Sequence, residues 1–133
     1  MTIRHVRRGA LLLLALAALA APASASADAL PTRATVSHNA TWVSNFQINL
    51  EVALTCSPGS GYFVNAQVLQ PQGFTQMSGS GFASGLCTGR RQLVAVPVFS
   101  FFFPGWQLGS AVASVNVCAF ACDSETGTIR ISL

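Results

Sequence analysis

Few side chains in this sequence can do acid–base or nucleophilic chemistry. Beyond residue 27 there is one histidine, His38, and four carboxylates, Asp28, Glu51, Asp123 and Glu125; lysine is absent throughout. A hydrolytic triad needs a histidine held by a buried carboxylate beside a nucleophile. His38 precedes Asn39-Ala40-Thr41 in what reads as an exposed first strand or loop, the setting of a plain surface histidine. Asp123 and Glu125 flank Ser124 in the run Asp123 to Gly127, made of turn-forming residues. They are expected to be solvated turn residues, with weak calcium binding as the sharper alternative. Arg90-Arg91 is the one charge cluster beyond the N-terminus. It suits an anion, or simply keeps the start of a strand wet. Asn39-Ala40-Thr41 also spells a glycosylation sequon, expected to be a chance match. There is no phosphate loop, G-x-S-x-G elbow or dinucleotide fingerprint. No catalytic residue and no cofactor is therefore assigned.

Aromatic side chains are the other candidates. Between Pro97 and Trp106 the chain reads P-V-F-S-F-F-F-P-G-W, with Phe99, Phe101, Phe102, Phe103 and Trp106 and no charge. Strand alternation buries one face only, so the consecutive Phe101, Phe102 and Phe103 cannot all point inward if extended. Exposed contiguous aromatics mark a binding surface or an aggregation hazard. The alternative is a corner folded over one end of the fold, burying them. Trp42 joins either version. The candidate binding patch is thus Phe99, Phe101, Phe102, Phe103, Trp106 and Trp42.

Four cysteines remain to be placed: Cys56, Cys87, Cys118 and Cys122. An even count in a small exported chain reads as two disulfides. The favoured pairing is Cys56–Cys87 with Cys118–Cys122. The main competitor joins Cys56 to Cys118, as in the cross-sheet bridge of immunoglobulin domains. In a straight strand, Cys118 and Cys122 would lie about 13 Å apart, too far to bridge. Their pairing demands a turn or bulge through Ala119-Phe120-Ala121. Closing the longer loop is worth ~3 kcal/mol. Zinc spacing is missing, so no metal site is assigned.

Export is read from the N-terminus. Arg4, Arg7 and Arg8 precede an apolar run from Gly9 to Ala21, then Pro22 and the small residues ending in Ala25-Ser26-Ala27. That is a secretory signal peptide over 1–27, cleaved after Ala27, with Ala25 the second choice. The apolar core suits the general secretory route better than the twin-arginine route that Arg7-Arg8 invites. The run is shorter than the roughly 20 residues of a spanning helix. No lipid-anchor cysteine or C-terminal sorting signal is seen, so a released extracellular product is expected. Beyond the signal, Arg33, Arg90, Arg91 and Arg130 balance the four acids. The high overall pI thus reflects the precursor, and neither a nucleic-acid footprint nor a polybasic membrane patch is present. Absent lysine with abundant Ala, Arg and Gly points to a GC-rich genome, that of an actinobacterium.

The elements that must position these residues are strands. From Gln47 to Cys56 apolar and polar residues alternate, with Ile48, Leu50, Val52, Leu54 and Cys56 on one face. Turns are expected at Ser57–Gly61 and at Pro71-Gln72-Gly73. Further strands are expected over Arg33–Trp42, Tyr62–Leu69, Gln92–Ser100, Leu108–Phe120 and Gly127–Leu133. Phe63, Ala66 and Val68 are the apolar residues singled out in the Tyr62 strand. Pro97 argues for an edge or bulge in the Gln92 strand. The Gly/Ser-rich stretch Phe74–Gly85 reads as a short irregular strand near an edge. About seven short strands define one all-β domain over 28–133, an antiparallel sandwich of immunoglobulin type.

The layout resembles small secreted actinobacterial domains of unknown function. The shared features are Leu54-Thr55-Cys56, Cys87-Thr88-Gly89, the Phe103-Pro104-Gly105 corner, a long Ala/Val strand and the terminal Arg130-Ile131-Ser132-Leu133. The late close cysteine pair is similar to that of enediyne-binding apoproteins of the neocarzinostatin type, which are seven-stranded immunoglobulin-like sandwiches with two local disulfides. That resemblance implies the sandwich; no binding residue is carried over from it.

The expected function is a secreted, non-enzymatic binding module using an aromatic, uncharged surface for a ligand or protein partner not specified by the sequence. A structural or surface-active envelope protein is the second reading, since no charge intervenes between Arg91 and Asp123 and self-association is favoured. A secreted protease inhibitor is the third, with Gly85-Leu86-Cys87-Thr88-Gly89-Arg90 as its reactive loop.

Overall fold

The computed structural model describes residues 30–133. The expected signal peptide and its cleavage site lie outside the described residues. Seven strands follow in order: β1 Arg33–Ser44, β2 Gln47–Thr55, β3 Gly61–Gln72, β4 Thr75–Leu86, β5 Gln92–Phe99, β6 Gly109–Cys118 and β7 Cys122–Ser132. The chain is all-β over this span. Hydrogen bonding links the strands as β1-β2-β5-β4-β3-β6-β7, and the ring closes into a barrel. All neighbours run antiparallel except β1 and β7, which pair in parallel over Asn39–Thr41 and Arg130–Ser132. The two separate sheets expected from the sequence are therefore joined at both sides.

Alternation dictates which residues fill the ring. In β2, Ile48, Leu50, Val52 and Leu54 are buried, and the first three face Val98, Val96 and Val94 of β5. Across the ring, Val64, Ala66 and Val68 of β3 face Val117, Val115 and Ala113 of β6. Phe63 is out of phase with Ala66 and Val68 and lies on the outer face.

Both disulfides form as favoured. Cys56–Cys87 ties the end of β2 to the residue after β4, with Cα atoms 5.5 Å apart. Cys118–Cys122 joins β6 to β7 around a three-residue loop, Cα atoms 4.1 Å apart. The ladder around the first bridge is continued by Gly59 donating to the Cys87 carbonyl and Cys87 donating to that of Ser60, each at 2.8 Å.

Two expected elements differ. The Gly/Ser stretch is a regular strand of 12 residues, β4, paired with β3 along its length. The turn lies at Gly73-Phe74, later than expected, because Gly73 carries the positive φ of 62° that a tight hairpin needs. On its other side β4 meets β5 at one pair, Ser80 with Phe99. A Cβ on Gly81 would collide with the Pro97 carbonyl, and one on Gly79 with the Phe99 carbonyl and the Trp106 ring. The glycines are what lets this seam close.

The second difference is Asp123 and Glu125. They lie within β7, not in a turn. Their register partners are Val117 and Val115, so they sit on the inward-facing side of the strand. There they reach β1. Asp123 Oδ2 accepts from the Ala34 N–H at 2.8 Å, and Glu125 Oε2 from the Val36 N–H at 3.3 Å. The parallel ladder between β1 and β7 covers Asn39–Thr41 only, and the two carboxylates serve the donors upstream of it.

Candidate functional site

The sequence-nominated aromatics separate into two groups. Trp106 is 1% exposed and belongs to the core. Trp42 is half-buried, and its indole N–H donates to the Trp106 carbonyl at 3.2 Å. These two hold the corner and do not offer a surface. Phe99, Phe101, Phe102 and Phe103 are exposed, at 39%, 84%, 64% and 86%.

The segment carrying them is anchored at both ends. Before it, Ser100 is buried; its N–H donates to the Phe46 carbonyl at 2.9 Å and its Oγ to Met77 Sδ at 2.9 Å. After it, Gly105 fits against the Asn45 carbonyl with a φ of 85°, and the Trp106 N–H donates to that same carbonyl. Gln70 is buried and clamps Gln107, donating to its carbonyl at 2.7 Å and accepting from its N–H at 3.0 Å. Gln72 donates to the Gly105 carbonyl at 2.8 Å. Three phenylalanines thus protrude from a fixed knuckle.

The sequence did not nominate what faces that knuckle. Phe63 of β3 and Phe82 of β4 stack on the outer surface, ring centroids 5.8 Å apart and planes within 17°. They are 46% and 65% exposed. Between the two aromatic groups runs β4, whose Ser80 and Gly81 have little or no side chain. A hollow of about 300 Å³ lies there, bounded by Asn65, Phe82, Pro97, Phe99 and Phe101 over Ser80 and Gly81. A second, of about 300 Å³, adjoins it along Ser78–Ser80, with Leu69, Phe99, Phe101 and Phe102. A third, of about 310 Å³, continues across β3 onto β6 and β7, lined by Asn65, Gln67, Ser114, Asn116, Ser124 and Thr126. Asn65 borders the first and third, and Ser80 the first two. No charged side chain lines any of the three.

One signal for the missed residues was available. Phe63 and Phe82 fall on the polar parity of their strands, with Asn65, Gln67 and Ser80, so alternation alone marks them as outward. Their stacking follows only from the β3–β4 register, which sets Asn65 opposite Phe82 and Phe63 opposite Ser84.

The remaining candidates lie elsewhere. His38 is exposed on β1 and borders a separate hollow with Glu51 and Arg91. Arg90 and Arg91 are exposed in the connection before β5, where the Thr88 N–H donates to Gln92 Oε1 at 2.9 Å. Among the described residues, no group of three His, Cys, Asp or Glu side chains is placed to hold a metal ion. No protein-family model matches the chain, and no curated protein is detectably similar to it.

Proposed function

We propose that this chain is an exported, non-enzymatic, immunoglobulin-like module that binds an uncharged ligand in the groove over β4. The observation that carries this reading is the set of exposed phenylalanines Phe82, Phe99, Phe101 and Phe102 around a glycine–serine floor free of charge, with Phe63 stacked on Phe82. Contiguous exposed apolar surface marks contact sites. Ligand sites are concave, mostly apolar and largely pre-formed, and the anchored knuckle meets that condition.

The immunoglobulin-like part rests on strand order. The two thinnest seams are the single β4–β5 pair and the short parallel β1–β7 pairing. Cutting there leaves β1-β2-β5 facing β4-β3-β6-β7, close to the division of an immunoglobulin sandwich, with β4 on the second sheet. Export from an actinobacterial cell is supported by the N-terminal signal pattern and composition, and by two disulfides, which persist in oxidising compartments. The non-enzymatic reading draws on Asp123 and Glu125, the one closely spaced acid pair, whose carboxylates serve the β1 backbone.

The test is equilibrium binding of Nile red, a neutral apolar dye, to the oxidised protein by fluorescence. Saturable binding that weakens at least tenfold in Phe82→Ala and in Phe101→Ala is expected. Binding that neither change affects would sink the groove as the site.

A second reading is favoured by apolar side chains away from the groove. Phe74 is fully exposed, and Phe103 and Phe120 are 86% and 80% exposed. These suit self-association in an envelope layer. Light scattering across a concentration series decides it: growing assemblies that Phe103→Asp disperses would promote this reading, and a constant monomer would remove it.

A further inference from the structure

We infer that the ligand of this face is a neutral saccharide chain, lying across the strands from the β4 groove toward β7. The inference rests on the groove being the binding site and adds the chemical class of its occupant.

Cross-strand register builds the face in rows. One row reads Phe82, Asn65, Asn116, Ser124 across β4, β3, β6 and β7; the next reads Ser80, Gln67, Ser114, Thr126. Phe99 extends the second row at the β5 seam. Each row begins at an aromatic ring and runs on through amides and hydroxyls. From β4 to β7 it spans three inter-strand steps, about 14 Å. The three hollows follow the same line and share walls, so the face is long and shallow, shaped for a chain of several units.

The chemistry narrows the occupant. With no charge lining the hollows, nothing compensates an ionic ligand that must shed water. Ser114 and Thr126 already pair their hydroxyls at 3.2 Å, and Ser124 donates to Asn116 Oδ1 at 3.1 Å. A wholly apolar ligand would still cover the amides of Asn65 and Gln67 without offering them a partner, a costly outcome for polar groups. An extended peptide would seek main-chain partners at a strand edge. Here β3 and β6 are interior strands, and the β4 edge beneath the groove is occupied at Gly79–Gly81, where Ser80 pairs with Phe99 and the two glycines pack against the Phe99 and Pro97 carbonyls. What remains available are side-chain amides and hydroxyls, which both donate and accept, beside flat rings. A neutral sugar presents the same two surfaces: hydroxyls around its rim and apolar C–H faces that lie on aromatic rings.

The experiment is ¹⁵N-HSQC titration of the full, oxidised protein, secreted into medium, with cellohexaose, xylohexaose, mannohexaose and chitohexaose. The Nile red measurement runs beside it. At least one sugar should shift the amide signals of Asn65, Gln67, Gly81, Phe82 and Asn116. Affinity for it should fall at least tenfold in Phe82→Ala and in Asn116→Ala, and stay within twofold in Phe74→Ala. Thermal unfolding of each variant confirms that it folds. If Nile red binds through Phe82 and Phe101 but none of the sugars shifts these signals, the saccharide inference is overturned and the groove stands as an apolar site. If neither probe binds, both readings fall.

Discussion

The carbonyl of Pro97 occupies the space that a side chain on Gly81 would need. This contact makes the β4–β5 seam possible and at the same time floors the groove. Gly81→Ala must push two backbones apart, because neither neighbour is the flexible end of a side chain. Overpacking of this kind costs about 1–3 kcal/mol. Urea unfolding of the oxidised protein should show that loss for Gly81→Ala, with Ser80→Ala, on the outer face, within about 0.5 kcal/mol of the parent. Equal midpoints for the two would show that the seam is not held by this contact.

Asp123 and Glu125 should matter to stability through β1. Hydrogen bonds involving a charged partner are worth about 1.5–3 kcal/mol. Asp123→Ala removes the 2.8 Å acceptor of the Ala34 N–H and should lie in the lower part of that range, since the site is only half-buried. Glu125→Ala, whose bond is 3.3 Å long, should lose less. Amide hydrogen exchange at Ala34 and Val36 reads this locally. Protection there should drop in the variants while that of Ile48 holds.

The two disulfides should contribute unequally. Cys56–Cys87 spans 31 residues and Cys118–Cys122 spans 4. In the chain-entropy view the longer loop gives about 3–4 kcal/mol and the short one clearly less. Replacing both members of each pair by alanine and comparing denaturation midpoints tests the order. A larger loss for the short loop would refute it.

Trp106 and Phe102 lie four positions apart in the sequence and have opposite roles. Trp106→Ala should cost about 3–5 kcal/mol as a large core deletion. Trp106→Phe should cost markedly less, because the buried indole N–H has no hydrogen-bond partner among the described residues. Phe102→Ala, at an exposed position, should shift stability by no more than about 0.5 kcal/mol. Thermal unfolding of the three variants makes the comparison.

Much of this architecture was legible in the residues. Period-two alternation marked β2 with its inward face, because a strand has only two faces and one of them is wet. Cysteine spacing pointed to the pairing that forms. The consecutive Phe101, Phe102 and Phe103 had to leave some ring outside, and all three rings are exposed. The nature of the Asp123–Gly127 run was misread, because turn-forming residues are judged locally and the N–H donors of Ala34 and Val36 lie 89 positions away. The Gly/Ser stretch looked irregular because a run with small side chains carries little alternation. Its regularity comes from β3, which pairs with it throughout.

Strand periodicity, the inward face of β2, charge neutrality beyond the N-terminal segment and the supply of aromatic rings are written in the residues alone. Tertiary structure alone decided that the sheets close at Ser80 and Phe99, that Gln70 and Gln72 hold the knuckle from 33 to 37 positions away, and that Phe63 and Phe82 stack opposite it. The physical reason is range. Alternation and turn chemistry act over a few residues and are written in neighbouring letters. Seams, clamps and a shared groove depend on strand register and on which backbones can touch, and those are fixed only when distant strands meet.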